Sequence, residues 1–278
     1  MSASDAIGAA LRERFGEEVP VPADLDGAER LARIAGHRVC RRYSDRPVEP
    51  DLLRLICACA LSSPSKSDLQ QRDIVVVRDR DLRRRIADLL PHMPWVGTAP
   101  AFLVVCLNGR RIVRLAEERG RPFPNDHLDL LFNATGDAAI ALTACLYAAE
   151  AIGMGGCPIS EVRNHAETIS AWLGLPERVV PFAGLCLGWP ADGGRIAPRL
   201  PLALTLHEDR YAEEPFAEGI AAHDARCAAM GLYAGQRAVE RWGEAPHYGW
   251  SEDKTRQYAE PHRADFGAFV RAKGFSVE

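Results

Sequence analysis

A chain of 278 residues has room for one large domain or two small ones, each with a real core. Its 47% hydrophobic and 26% charged residues are ordinary for a soluble globular protein, and a net charge of −4 argues against general polyanion binding. Eight cysteines form no CxxC pair and sit in apolar runs such as "LICACAL" and "FAGLCLGW", which reads as buried free thiols in a reducing cytoplasm, with neither a disulfide framework nor a metal site.

The first residues, "MSASDAIGAALRERFGEE", have too short an apolar part for a secretory signal. Residues 1–36 read as a helical extension, because "ADLDGAERLARIAGH" has an Asp start and a Gly stop. Next comes "GHRVCRRYSDRPV", which gathers Arg38, Arg41, Arg42 and Arg46 in an otherwise acidic chain. A guanidinium offers planar donors that match a phosphate bidentately, although a solvated turn would use the same residues. "EPDLLRLICACALSS" has helical spacing, and "SSPSKSDLQQ" reads as a loop. Ser65, Lys66, Ser67 and Gln70 in that loop suit the polar edge of a flat heterocycle, or solvent.

"DIVVVRD" and "APAFLVVCLN" read as strands, with the helix "DLRRRIADLL" between them. Residues 127–152 form one long helix, apolar on both faces, which belongs in a core or at an interface; Asp137 and Glu150 leave too few apolar residues to span a bilayer. "GMGGCPIS" reads as a glycine-rich turn leading into a helix that stops at Gly174 and Pro176. "VVPFAGLCLGW" and "LPLALTLHED" are the third and fourth strands expected. From about residue 212 to 278 the pattern is a charged helical extension, leaving 37–211 as the core. The glycines lack the G-x-G-x-x-G spacing, so an α+β sheet flanked by helices is expected rather than a doubly wound nucleotide fold.

In order, "HRVCR", "SKSDLQ", "GMGGCPISEVRN", "LPERVVPFAGLCLGWPADGGRIAPRLPLALTLHEDRY" and "GWSEDKTRQY" resemble the flavin-dependent nitroreductase family. Within it they resemble the larger NADPH-preferring branch of nitroreductases and flavin reductases. The resemblance covers residues 37–278. It implies an α+β fold with a mainly antiparallel sheet, and an intertwined homodimer whose interface uses the long apolar helix. It implies FMN as cofactor and NAD(P)H as co-substrate. The acceptors implied are nitroaromatics, quinones or flavins, reduced in ping-pong order in the cytoplasm, with no nucleic-acid or membrane partner.

By the same resemblance His37, Arg38 and Arg41 line the cofactor, and Arg38 and Arg199 hold its phosphate. Arg41 faces the pyrimidine end, where a cation stabilises the reduced flavin. Ser65, Lys66, Ser67 and Gln70 meet the ring edge and ribityl chain, and Ile159 and Ser160 lie along the ring. No side chain acts as a nucleophile. Residues 108–127 and 212–250 are the expected sources of the acceptor pocket.

The departures from the family pattern are Val39 for a serine, Ala197 for a lysine with Arg195 nearby, Ser160-Glu161 for a glycine pair, and Met93 for a polar residue. They leave an alternative open: an FMN-binding protein of this fold that has lost turnover, or that dehalogenates or processes flavin.

Overall fold

The computed structural model describes residues 1–214 and 216–278. Among the described residues four strands are present: β1 (Arg72–Val76), β2 (Ala101–Asn108), β3 (Gly155–Ile159) and β4 (Val179–Gly188). The helices, in chain order, are α1 (Ala3–Phe15), α2 (Ala28–Ala35), α3 (Pro50–Leu61), α4 (Arg80–Asp88), α5 (Trp95–Thr98), α6 (Arg110–Glu118) and α7 (Leu128–Ala151), followed by α8 (Ala166–Trp172), α9 (Phe216–Ala229), α10 (Val239–Trp242), α11 (Trp250–Tyr258) and α12 (Phe266–Ala272). They divide between two compact units. Met1–Arg38 and Arg195–His262 form one, and Val39–Gly194 with Arg263–Glu278 form the other. Both expected terminal extensions therefore contribute to the first unit, while 263–278 returns to the second.

The larger unit is built on one antiparallel sheet in the order β1-β2-β4-β3. β2 is buried along its whole length, because helices cover both faces, and this is why it reads as one continuous apolar run. Alternate side chains separate the two faces. Phe102, Val104 and Cys106 pack with Ile86, Val96 and Ile169 from α4, α5 and α8. Leu103 packs with Leu53 and Ile56 of α3 and Cys145 and Leu146 of α7, and Val105 and Leu107 pack with Val270 and Phe275 from the α12 region.

α7 is long and apolar enough to cross a membrane by length and composition, yet it lies across the sheet. Ala134, Ala138, Ala141, Cys145 and Ala149 form its inward stripe, each fully buried. Their small side chains let a 24-residue helix approach the strands closely. Leu128, Phe132, Gly136 and Ile140 recur at four-residue spacing on an exposed stripe of the same helix.

Two expected elements are corrected. "GMGGCPIS" is not simply a turn before a helix: Gly153, at φ +85°, ends α7, and the next residues form β3. Glycine has little strand propensity of its own, and here packing demands it. A Cβ on Gly156 would come within 2.7 Å of Leu146 Cδ1 and 2.8 Å of Leu187 Cδ2. Pro158 is tolerated because β3 is the last strand of the sheet, bridged on its outer side at Gly156 by Val39. Gly156→Ala will therefore cost about 1–3 kcal/mol by overpacking, read as a lower urea midpoint at unchanged slope.

The strand expected at "LPLALTLHED" is absent. Leu202–Leu204 make a single 3-10 turn after Pro201, and Leu204 packs on Gly219 of α9, where a Cβ would meet it at 2.6 Å.

The smaller unit is helical where its elements are regular, with Ile7, Ala10, Ala28, Ala35 and Ile196 as its core. α1 begins with a Ser2–Asp5 capping box and ends at Gly16, φ +77°. All eight cysteines are free and six are buried. Burial pushes the Cys106 thiol up to about 12, so it remains protonated at neutral pH.

Candidate functional site

The arginine-rich stretch crosses from one unit to the other, with His37 and Arg38 in the smaller and Arg41 in the larger. From residue 39 it runs beside β3. Val39 bridges Gly156 in parallel register, and the Cys40 N–H donates to the Gly156 carbonyl at 2.9 Å. The Tyr43 hydroxyl donates to the Cys40 carbonyl at 2.7 Å, and burial holds that phenol far above its ordinary pKa. This anchoring fixes Arg41, whose guanidinium lies 5.2 Å from the centre of the Trp95 ring. Arg41 also faces the Cys157 thiol, which burial pushes up and the arginine draws part of the way back. Arg42 pairs with Asp192 at 3.1 Å on the surface, and Arg46 stacks on Trp189 at 3.6 Å. Those two cations therefore have ordinary partners.

The Ser65–Gln71 loop is held by one carboxylate. Asp137, 1% exposed on α7, accepts the Ser65 hydroxyl at 2.6 Å, the Lys66 N–H at 2.9 Å and the Gln71 N–H at 2.8 Å. The Ser65 oxygen in turn accepts the Gln70 N–H at 2.6 Å. Arg72, also buried, sits 3.5 Å from Asp137 and donates to the Leu61 and Ser63 carbonyls at 2.9 and 2.8 Å. Ser67, Asp68 and Gln70 are held at φ 48°, 56° and 53°, a conformation costing about 1 kcal/mol or more per residue. The Asp137 network offsets that strain and leaves Lys66, Ser67 and Gln70 exposed. Asp137 is not among the residues expected at the site. The available signal is a carboxylate near the middle of an alanine-rich helix whose other acids, Asp129 and Glu150, lie near its ends.

Lys66 also lines a hollow of about 370 Å³ with Ile112, Phe123, Asn125 and Asn133. This brings the loop beside part of the 108–127 segment expected to shape an acceptor pocket. Ile159 closes β3 with its side chain in the core, so only its main chain can meet a ligand. Ser160 is exposed, and its hydroxyl lies 3.4 Å from Arg263, which donates to Asn164 at 2.6 Å.

Arg199 belongs to the smaller unit with His37 and Arg38. Its main chain is fixed at both ends: its N–H donates to the Arg14 carbonyl at 2.7 Å, and its carbonyl accepts Arg226 at 3.0 Å. Its exposed guanidinium reaches only the carbonyls of Pro198 at 3.2 Å and Ala197 at 3.5 Å. Among the described residues no carboxylate pairs with Arg199 or with Lys66. The expected site residues thus form two sets, His37, Arg38 and Arg199 in one unit and Arg41, Ser65, Lys66, Ser67, Gln70, Ile159 and Ser160 in the other.

The sequence matches the family model for the nitroreductase family over residues 34–189 and that for the nitroreductase C-terminal domain over 197–278. The chain is 30% identical over 254 residues to the FMN reductase [NAD(P)H] of Bacillus subtilis, covering 90% of this chain and 99% of that one. It is 36% identical over 181 residues to the oxygen-insensitive NADPH nitroreductase of Salmonella typhimurium, covering 64% and 72%. NfrA2 of B. megaterium superposes with a TM-score of 0.81 at 30% identity, covering 90% of this chain and 99% of that one. The NADPH:FMN oxidoreductase of Vibrio harveyi, complexed with NAD+, superposes at 0.75 and 28% identity, covering 88% and 97%. With both family models matched and 99% of the B. subtilis reductase covered at 30% identity, the chain belongs to the nitroreductase family.

Proposed function

We propose that this protein is an FMN-dependent NAD(P)H oxidoreductase that reduces nitroaromatic, quinone or flavin acceptors. The observation that carries this reading is the Ser65–Gln70 loop, in which a buried aspartate holds three non-glycine residues at positive φ. Strain of that kind, maintained on exposed polar residues, marks a prepared binding surface. The donor set fits FMN. Arg199 is an exposed guanidinium on an immobilised backbone with no carboxylate partner, as a phosphate ester requires. Lys66, Ser67 and Gln70 offer both donors and acceptors to a polar heterocycle edge.

In this reading Arg38 and Arg199 would hold the phosphate, and His37 would line the cofactor. Ser65, Lys66, Ser67 and Gln70 would meet the ring edge and ribityl chain, and the main chain at Ile159 and Ser160 would run along the ring. Arg41 supplies positive charge where negative charge develops on reduction. When bound, FMN would supply two-electron hydride-transfer chemistry between NAD(P)H and the acceptor, in ping-pong order. The protein contributes binding, orientation and the acceptor pocket.

The exposed stripe Leu128, Phe132, Gly136 and Ile140 on α7 supports a homodimer, since an apolar face of this kind needs a cover. Buried free thiols suit a cytoplasmic setting.

Protein reconstituted with FMN will show bound-flavin absorbance that NADPH or NADH bleaches without oxygen. Failure to bind FMN overturns the proposal. Bound flavin that neither nicotinamide bleaches would favour the flavin-processing or inactive alternative.

A further inference from the structure

α1 lies outside the matched family models, which begin at residue 34, yet it supplies a buried cation to the smaller unit. Arg14, on the last turn of α1, is 7% exposed. Its guanidinium donates to the Ala35 carbonyl at 2.9 and 3.3 Å, to the His37 carbonyl at 2.7 Å and to the Ala197 carbonyl at 3.2 Å. A planar group with five donors suits such a divergent set of acceptors, whereas an ammonium on a flexible stem does not. The Arg14 main chain contributes as well, since its carbonyl accepts the Arg199 N–H at 2.7 Å and Arg226 Nη2 at 2.7 Å.

Arg226, from α9, completes the arrangement. Its guanidinium bonds the carbonyls of Phe15, Arg14 and Arg199, so that a cation closes the C-terminal end of α1. Gly16 is needed there twice over: its φ is +77°, and a Cβ would meet Arg226 Cδ at 2.5 Å.

These contacts share a geometric result. The peptide before Arg38 and the Arg199 N–H are both tied to Arg14, and the Arg199 carbonyl is tied to Arg226, which also bonds the Arg14 carbonyl. We propose that Arg14 is a positioning residue for the phosphate end of the cofactor site, setting the spacing of Arg38 and Arg199 before ligand arrives. This rests on the reading that those two arginines hold the FMN phosphate. A two-point cationic grip gains affinity when its spacing is fixed in advance, because binding then orders less of the chain.

The test uses the full-length apoprotein, titrated with FMN and with riboflavin, which lacks the phosphate. Arg14→Ala should weaken FMN binding at least tenfold and shift riboflavin binding less than twofold. Arg14→Lys should recover only part of the loss. Arg14→Ala combined with Arg199→Ala should weaken FMN binding by less than the product of the two single effects. Unchanged FMN affinity in folded Arg14→Ala overturns the proposal, and so does an equal loss for FMN and riboflavin. If Arg14→Ala does not fold, Arg226→Gln and Arg14→Lys carry the same comparison, with the same outcomes for and against. Arg199→Ala alone separates the two claims. If it leaves FMN binding unchanged, the phosphate reading fails. If it weakens binding while Arg14→Ala does not, only the positioning role fails.

Discussion

Asp137→Ala will destabilise the protein by about 3–5 kcal/mol, the range for removing one member of a buried ion pair. The side chain is 1% exposed and accepts three hydrogen bonds, and its loss leaves the Arg72 charge buried without a counter-ion. The loss of hydrogen bonds would alone account for a fraction of this; the stranded charge is the larger cost. Urea denaturation of Asp137→Ala, Arg72→Met and the double variant separates the two contributions. The double variant should be more stable than the sum of single effects implies, because an apolar side chain of similar volume removes the uncompensated charge. Additive effects would show that Arg72 and Asp137 are not coupled. Asp137→Asn keeps an acceptor for one of the two N–H donors and should fall between wild type and Asp137→Ala. In every folded Asp137 variant the Ser65–Gln71 loop loses all or part of its anchor, so FMN affinity should fall even where stability is partly restored.

The second large effect is at Arg199. Arg199→Ala should weaken FMN binding about 10- to 100-fold, the worth of one or two hydrogen bonds to a charged group. Folding should be nearly unaffected, because the guanidinium is exposed and bonds only to carbonyls of its own segment. Fluorescence titration of apoprotein gives the affinity, and a thermal melt gives the stability. Riboflavin affinity serves as the control and should stay constant. An equal loss for both ligands would place Arg199 away from the phosphate.

What the sequence made legible was set by how locally each signal was encoded. β2 and β4 could be read because a strand buried on both faces leaves an unbroken apolar run. α7 could be read because 24 residues of small and apolar side chains suit few other structures. β3 was hidden because its glycines and proline are poor strand formers, and what requires them is the proximity of Leu146, Leu187 and Cys40. Leu202–Leu204 misled in the opposite direction: three apolar residues after Pro201 imitate a strand, while Leu204 is occupied with Gly219.

The candidate site divides along the same line. Its exposed arginines, serines and glutamine stand in recognisable order along the chain. The groups that hold them are buried and distant in sequence. Asp137 reaches back 72 residues to Ser65, and Arg14 spans 183 residues to Ala197. No local pattern marks such partners. The bridge from Val39 to Gly156 gives a β-branched residue a reason to stand there.

The smaller unit draws residues 1–38 from the start of the chain and 195–262 from near its finish. During synthesis, α1 and α2 leave the ribosome long before α9 exists. At about 5–20 residues per second, the intervening stretch takes on the order of ten to thirty seconds to make. Through that interval the apolar stripe of α1 and the Arg14 guanidinium lack the Ile196 and Ala197 contacts they later make. The larger unit waits as well, since α12 joins it from the last residues. A nascent chain released early would therefore leave both units unfinished, and chaperone dependence should be greatest for products ending between residues 195 and 262.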